Sequence, residues 1–163
     1  MRGATPAEVT ARYRTLAAEH PGSGEARVAL AIRLAEGGDA AGAAEQAQAA
    51  VSADPTNLQT ILTAAGLLGH MERSDLALGA YAQAARVDPK NAGAHAGLGL
   101  SQAGLGHWPE AEAELREAVR LEPQNPLHMR FLASLLREVG KGAEASEWEA
   151  RANGLSAPGR SGR

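Results

Sequence analysis

Cysteine is absent from the 163 residues, which excludes disulfides, thiol catalysis and Cys-ligated zinc. Aromatic residues are scarce: two Trp, two Tyr and one Phe. A core built without rings must come from Ala, Leu and Val. Such small side chains suit helices that pack closely, not a large ring-lined cavity. Charge of one sign is also missing, since the net charge is −3 with no long run of either sign. Nucleic-acid binding needs a basic face, and anionic membranes need a polybasic patch, so neither partner is expected. No stretch nears the roughly 20 apolar residues of a membrane-spanning helix. Met1 to Pro6 opens no apolar run of leader length. The expectation is a soluble, cytoplasmic protein without membrane insertion. Its alanine- and glycine-rich usage points to a GC-rich bacterial genome. What is present is 44% hydrophobic residues, enough for a packed core.

The hydrophobic residues are organised by a period. Pro21, Pro55, Pro89 and Pro123 are spaced 34 residues apart. Two residues after each stands a helix-capping type: Ser23, Asn57, Asn91 and Asn125. Proline ends the helix behind it, and the capping side chain accepts from a free N–H of the helix ahead. Units therefore run 24–57, 58–91, 92–125 and 126–153. Counted within each unit, position 20 reads Ala43, Ala77, Ala111, Ala145, and position 27 reads Ala50, Ala84, Ala118, Ala152. Position 8 reads Ala31, Ala65, Gly99, Ala133. Position 7 reads Leu30, Ala64, Leu98, Leu132, with Leu34, Leu68, Gln102, Leu136 at position 11. Small residues at 8, 20 and 27 let two antiparallel helices, A and B, cross closely. Gly38, Gly106 and Gly140 mark the break between A and B, and Asp39 and Ser74 read as caps of the B helix.

This pattern resembles the tetratricopeptide repeat family over residues 24–153. The resemblance implies an all-α, right-handed α-solenoid of antiparallel helix pairs. Two departures stand out. Position 4, usually aromatic in the family, holds Arg27, Ile61, His95 and Met129, and position 11 lacks Tyr. Both soften the packing.

The ends read differently. Thr5-Pro6-Ala7-Glu8 is a capping box with proline at the first helical position. Residues 1–23 thus read as a capping half-repeat, with Val9, Tyr13 and Leu16 in the columns of positions 20, 24 and 27. The alternative is a longer array interrupted here. In the fourth unit Glu149 and Asn153 replace apolar predecessors, as a terminal repeat requires. Residues 154–163 read as a disordered tail. Trp108 and Trp148 read as packing anchors.

The family resemblance also implies a ligand face: the A helices line the inner side through positions 2, 5, 6, 9, 12 and 13. There this chain places Val28, Ile32, Leu62, Gly66, Ala96, Leu100 and Phe131, with Glu25 and Glu36 at an acidic end and Arg130 and Arg137 at a basic end. The family's carboxylate clamp needs Lys and Asn at positions 5, 6 and 9, and repeats one to three have neither there. An apolar trough of this kind suits an amphipathic helix or an extended apolar segment of a protein partner. The competing reading is that these residues pack between neighbouring A helices. His70 and His95 fall in the same region.

Enzymatic chemistry finds no foothold. Gly97-Leu98-Gly99 lacks the third glycine and the preceding strand of a dinucleotide loop. The five histidines show no i, i+4 pair for a metal. No cofactor and no metal are expected. The leading expectation is a non-enzymatic adaptor that binds a peptide or helix of a partner. The rival is a self-assembling scaffold that organises a complex by homo-oligomerisation, and a third reading is a regulatory segment of a longer enzyme.

Overall fold

The computed structural model describes residues 5–156, the side chain of Ser156 excepted. Among the described residues the regular elements are nine helices. They are α1 (Pro6–Glu19), α2 (Gly24–Glu36), α3 (Ala40–Ala53), α4 (Leu58–His70), α5 (Ser74–Val87), α6 (Ala92–Gly104), α7 (Trp108–Leu121), α8 (Pro126–Glu138) and α9 (Gly142–Ser156). The fold is all-α, built of antiparallel helix pairs. The chain forms two compact units, Met1–Pro89 with α1 to α5 and Lys90–Arg163 with α6 to α9.

Each A helix starts at its polar cap. The side chains of Ser23, Asn57 and Asn91 accept from the backbone N–H of Ala26, Thr60 and Ala94 at 3.1, 3.1 and 2.8 Å. Asn125 accepts from Leu127 N–H at 3.0 Å. The B helices α3, α5 and α7 each stop two residues before a proline. The terminal helix runs on: α9 extends to Ser156, so residues 154–156 are helical and not part of a tail. Its physical reason lies in the proline, which falls at 158 where the period would put it at 157. The remainder of the expected tail, 157–163, lies outside the described residues.

The A-to-B turn has one geometry in all four pairs. A residue with positive φ follows each A helix: Gly38 at 84°, Glu72 at 58°, Gly106 and Gly140 at 79°. The next N–H then reaches back five residues, as in Asp39 to the Leu34 carbonyl and Arg73 to the Leu68 carbonyl, both near 3 Å. This closure satisfies carbonyls the helix end would otherwise leave free. It also fixes the cap as the residue after the left-handed one. Asp39 holds that place and accepts from Gly42 N–H at 2.9 Å. In the second pair the place belongs to Arg73, which makes no side-chain cap bond, and Ser74 is already the first residue of α5. The expected Ser74 cap is thus corrected by one residue.

The small-residue columns form the helix-pair seams. Ala31, Ala43 and Ala50, Ala65, Ala77 and Ala84, and their equivalents in α7 to α9 are fully buried. A Cβ on Gly99 would lie 2.8 Å from Leu115 Cγ and 3.0 Å from the Ala111 carbonyl oxygen, so α6 and α7 approach too closely even for alanine there. Around the seams sit the large fully buried side chains, Ile61 and Leu68 in one unit and Leu115, Leu132 and Leu136 in the other. A further column pair varies. Arg27 Nη1 donates to Gln46 Oε1 at 3.3 Å, and His95 Nδ1 lies 2.7 Å from Glu114 Oε2. The same two columns hold buried Ile61 and Ala80 in the second pair, and Met129 with half-buried Trp148 in one core cluster of the fourth.

Two expectations need correction. In α1 the residue sealed against α2 is Ala17, not Leu16, which is 40% exposed; Val9 and Tyr13 are half-buried. The columns at 20, 24 and 27 face a B helix's own A helix, and α1 has none among the described residues. Trp108 does not anchor the core and is 41% exposed at the start of α7. Trp148 does pack, with the Arg151 guanidinium 4.7 Å above its ring.

The turns make a paired prediction. Glu72→Gly should raise stability by about 1 kcal/mol, the cost of a left-handed non-glycine residue, and Gly106→Ala should lower it by a similar amount. Urea unfolding of both variants checks this. Equal shifts of the same sign would contradict the turn geometry. In the seam, Gly99→Ala should destabilise by about 1–3 kcal/mol through overpacking, although alanine is the better helix former. Gly79→Ala, with open space around it, should instead stabilise.

Candidate functional site

The A helices carry the residues expected to meet a ligand, and burial sorts them. In the first unit Val28 is only 7% exposed and belongs to the core cluster with Ala31, Ala64 and Ala65. It is closed off from any ligand. Ile32, one turn along α2, packs half-buried on that cluster, and Leu62 and Gly66 on α4 are also half-buried. Glu25 is exposed in the first turn of α2. Glu36 is exposed but joined to Arg33 at 2.8 Å. Beside Gly66 lies the Tyr81 hydroxyl, 3.7 Å from where a Cβ would stand. Burial pushes the Tyr81 phenol above its usual range.

In the second unit Ala96 is buried at 4% in the core cluster, so it too is packing rather than lining. Phe131 is half-buried against the same cluster. Leu100 on α6 and Leu127 on α8 are 42% and 50% exposed. Leu127 and Phe131 stand four apart, on one side of α8. Arg130 is exposed. Arg137 is exposed but bound to Glu149 of α9 at 2.7 Å, and this hydrogen bond raises its guanidinium further above its usual range. At the basic end Arg137 is therefore tied to the neighbouring B helix. Glu149, a polar replacement in an otherwise apolar column, is that partner. His95 faces Glu114 of α7, with 15% side-chain exposure, and is not an inner-face residue.

The charged faces of the B helices are more structured than a solvated surface. Glu112 accepts from Lys141 Nζ at 2.7 Å and from Arg116 Nη2 at 2.8 Å, and Arg116 also reaches Glu144 Oε1 at 2.6 Å. Four charges thereby join α7 to α9 and to the turn before it. Lys141 first, then Arg116, holds the Glu112 carboxyl below the usual carboxylate range. No catalytic grouping emerges from these contacts. What the A helices offer is contact area: exposed leucines, half-buried Ile32, Leu62 and Phe131, and small residues between them.

The family model described as Tetratricopeptide repeat matches residues 10–57, 62–126 and 97–159. No curated protein sequence matches. Among solved structures, MamA 41-end from Desulfovibrio magneticus RS-1 aligns with a TM-score of 0.77 at 20% identity, covering 93% of this chain and 85% of that one. A crystal structure of MamA aligns at 0.76 and 16% identity, covering 93% and 88%. Pseudomonas aeruginosa pilF aligns at 0.72 and 18% identity, covering 94% of this chain and 70% of its own. At such identities the likeness is one of fold. Among the described residues no helix is long and apolar enough to cross a membrane.

The Glu112 network predicts an acid effect. A carboxyl lowered in the folded state contributes stability above its unfolded value near 4.5, and that contribution is lost as pH falls through the folded value. Glu112→Gln should therefore lower the thermal midpoint at pH 7 and do progressively less below about pH 4. A difference that stays constant across this range would remove the carboxylate's role.

Proposed function

Because this chain belongs to the tetratricopeptide repeat family, whose fold is typical of protein-interaction scaffolds, we propose that it is a non-enzymatic adaptor whose A-helix face binds an apolar segment of a protein partner. The observation that carries this reading is the pair of leucines left open on A helices, Leu100 at 42% and Leu127 at 50%, beside half-buried Phe131. The packing of these A helices onto their partners is filled by other residues, Leu98 on α6 and Leu132 and Leu136 on α8. Leaving a leucine in water forfeits on the order of 1.5–3 kcal/mol relative to burying it. A partner segment with aliphatic residues at helical spacing would recover that burial. Ile32 and Leu62 in the first unit offer the same chemistry on a shallower surface. The acidic and basic ends narrow accordingly, since Glu36 and Arg137 are paired within the chain.

A second reading is self-association. It is favoured by the bare side of α1, where Val9, Arg12, Tyr13 and Leu16 line a hollow of about 460 Å³ that a preceding A helix would fill. Light scattering over a concentration series separates the two, because a mass that stays monomeric counts against self-association.

Leu100→Arg should abolish capture of the partner from an extract of the source organism while leaving helical circular dichroism within a few per cent of the parent. Capture that survives this change places the ligand elsewhere on the chain.

A further inference from the structure

Positions 20 and 27 hold alanine in all four helix pairs, and each of those alanines is fully buried in a seam. Helix α1 holds Val9 and Leu16 in the same columns, with Tyr13 between them. Among the helices α1 packs closely against α2 alone. Its other side is open. Val9 and Tyr13 are half-buried, Leu16 is 40% exposed, and together with Arg12 they line a shallow hollow. Val9 and Leu16 are too bulky for the close crossing made at the alanine seams. They suit two helices whose side chains interdigitate, about 10 Å between axes.

The open side also carries a charge pattern. Arg12 and Glu19 stand two turns apart on one flank of the stripe formed by Val9, Tyr13 and Leu16. Both are exposed, and neither makes an ion pair among the described residues. Two copies laid antiparallel across a two-fold axis bring the same flank of each together. With Tyr13 of each copy against Leu16 of the other, Arg12 of each stands within about 3 Å along the axis of Glu19 of the other. The apolar register and the charge register therefore agree. Laid parallel, Arg12 would face Arg12 and Glu19 would face Glu19. The last helix of a second copy is a poorer fit. Ala44 and Val51 join the cluster that carries α4 onto α3, and in those columns α9 holds exposed Ser146 and Asn153.

We propose that two copies of this chain associate through α1, antiparallel about a two-fold axis, with Tyr13 against Leu16 and Arg12 paired to Glu19. This rests on the self-association reading above, whose surface it names, and uses no A-helix residue. One helix pair of this length buries on the order of 1,000 Å², the size of a weak and reversible interface. Dimers should form at about 100 micromolar and dissociate on dilution.

Sedimentation equilibrium of the full chain tests this. High salt should weaken the parent dimer. Arg12→Glu and Glu19→Arg should each weaken it by about tenfold or more, since each replaces two ion pairs by two like-charge contacts. An equimolar mixture of those two variants should dimerise at least as well as the parent, because every facing pair is then opposite in sign. Leu16→Asp should leave a monomer with unchanged helical circular dichroism. A parent that stays monomeric to about 1 mM overturns the proposal together with self-association, and leaves the stripe to a helix of another protein. A dimer that keeps its strength in Arg12→Glu, or that Leu100→Arg alone dissolves, leaves self-association standing and overturns this interface. A mixture no stronger than either variant alone overturns the antiparallel pairing.

Discussion

The distance between paired helices governs the rest of each repeat. The seam columns hold alanine, and where α6 meets α7 at position 99 even alanine's Cβ would crowd the neighbouring helix. Backbones that close leave no room for rings, so the scarcity of aromatic residues follows from the packing. Dispersion contacts at native density then supply the cohesion that bulky cores obtain from large buried area. Larger residues are displaced to the flanks of the seam, where Leu68, Leu115, Leu132 and Leu136 seal it. Charges are displaced further, to the outer faces of the B helices. The side of each A helix that faces neither its partner nor the next pair is what remains for recognition.

Much of this was legible in the sequence. Prolines and caps at a 34-residue period locate each A-helix start to the residue, because the physics involved is local. Where reading failed, something non-local or off-pattern decided. The cap of α5 was misplaced because its left-handed residue is Glu72, which carries none of glycine's signal. Ala17 outranked Leu16 because columns deduced from paired helices do not apply to a helix with a neighbour on one side. The candidate site was less legible. Val28 and Leu100 share a resemblance-derived face, yet one lies at 7% exposure and the other at 42%, a difference set by what the adjacent helix brings up against each. Arg137 lost its freedom to Glu149, twelve residues away across a turn.

On the proposed reading, recognition and architecture draw on separate sets of residues. Seam residues are small, buried and nearly uniform across the four pairs. Residues on the A-helix face differ from pair to pair. That division is what lets one fold serve unrelated partners, and it places functional information in the columns that break the repeat.

The column pair that reads Arg27 with Gln46, Ile61 with Ala80, His95 with Glu114 and Met129 with Trp148 has a bearing on inheritance as well as packing. Both members of each couple lie in the same helix pair, nineteen residues apart. A change from a polar to an apolar couple is thus completed inside one repeat and asks nothing of the repeats beside it. At this column pair each repeat is insulated from drift in its neighbours, so duplication of a single unit would carry the compensating partner along with it.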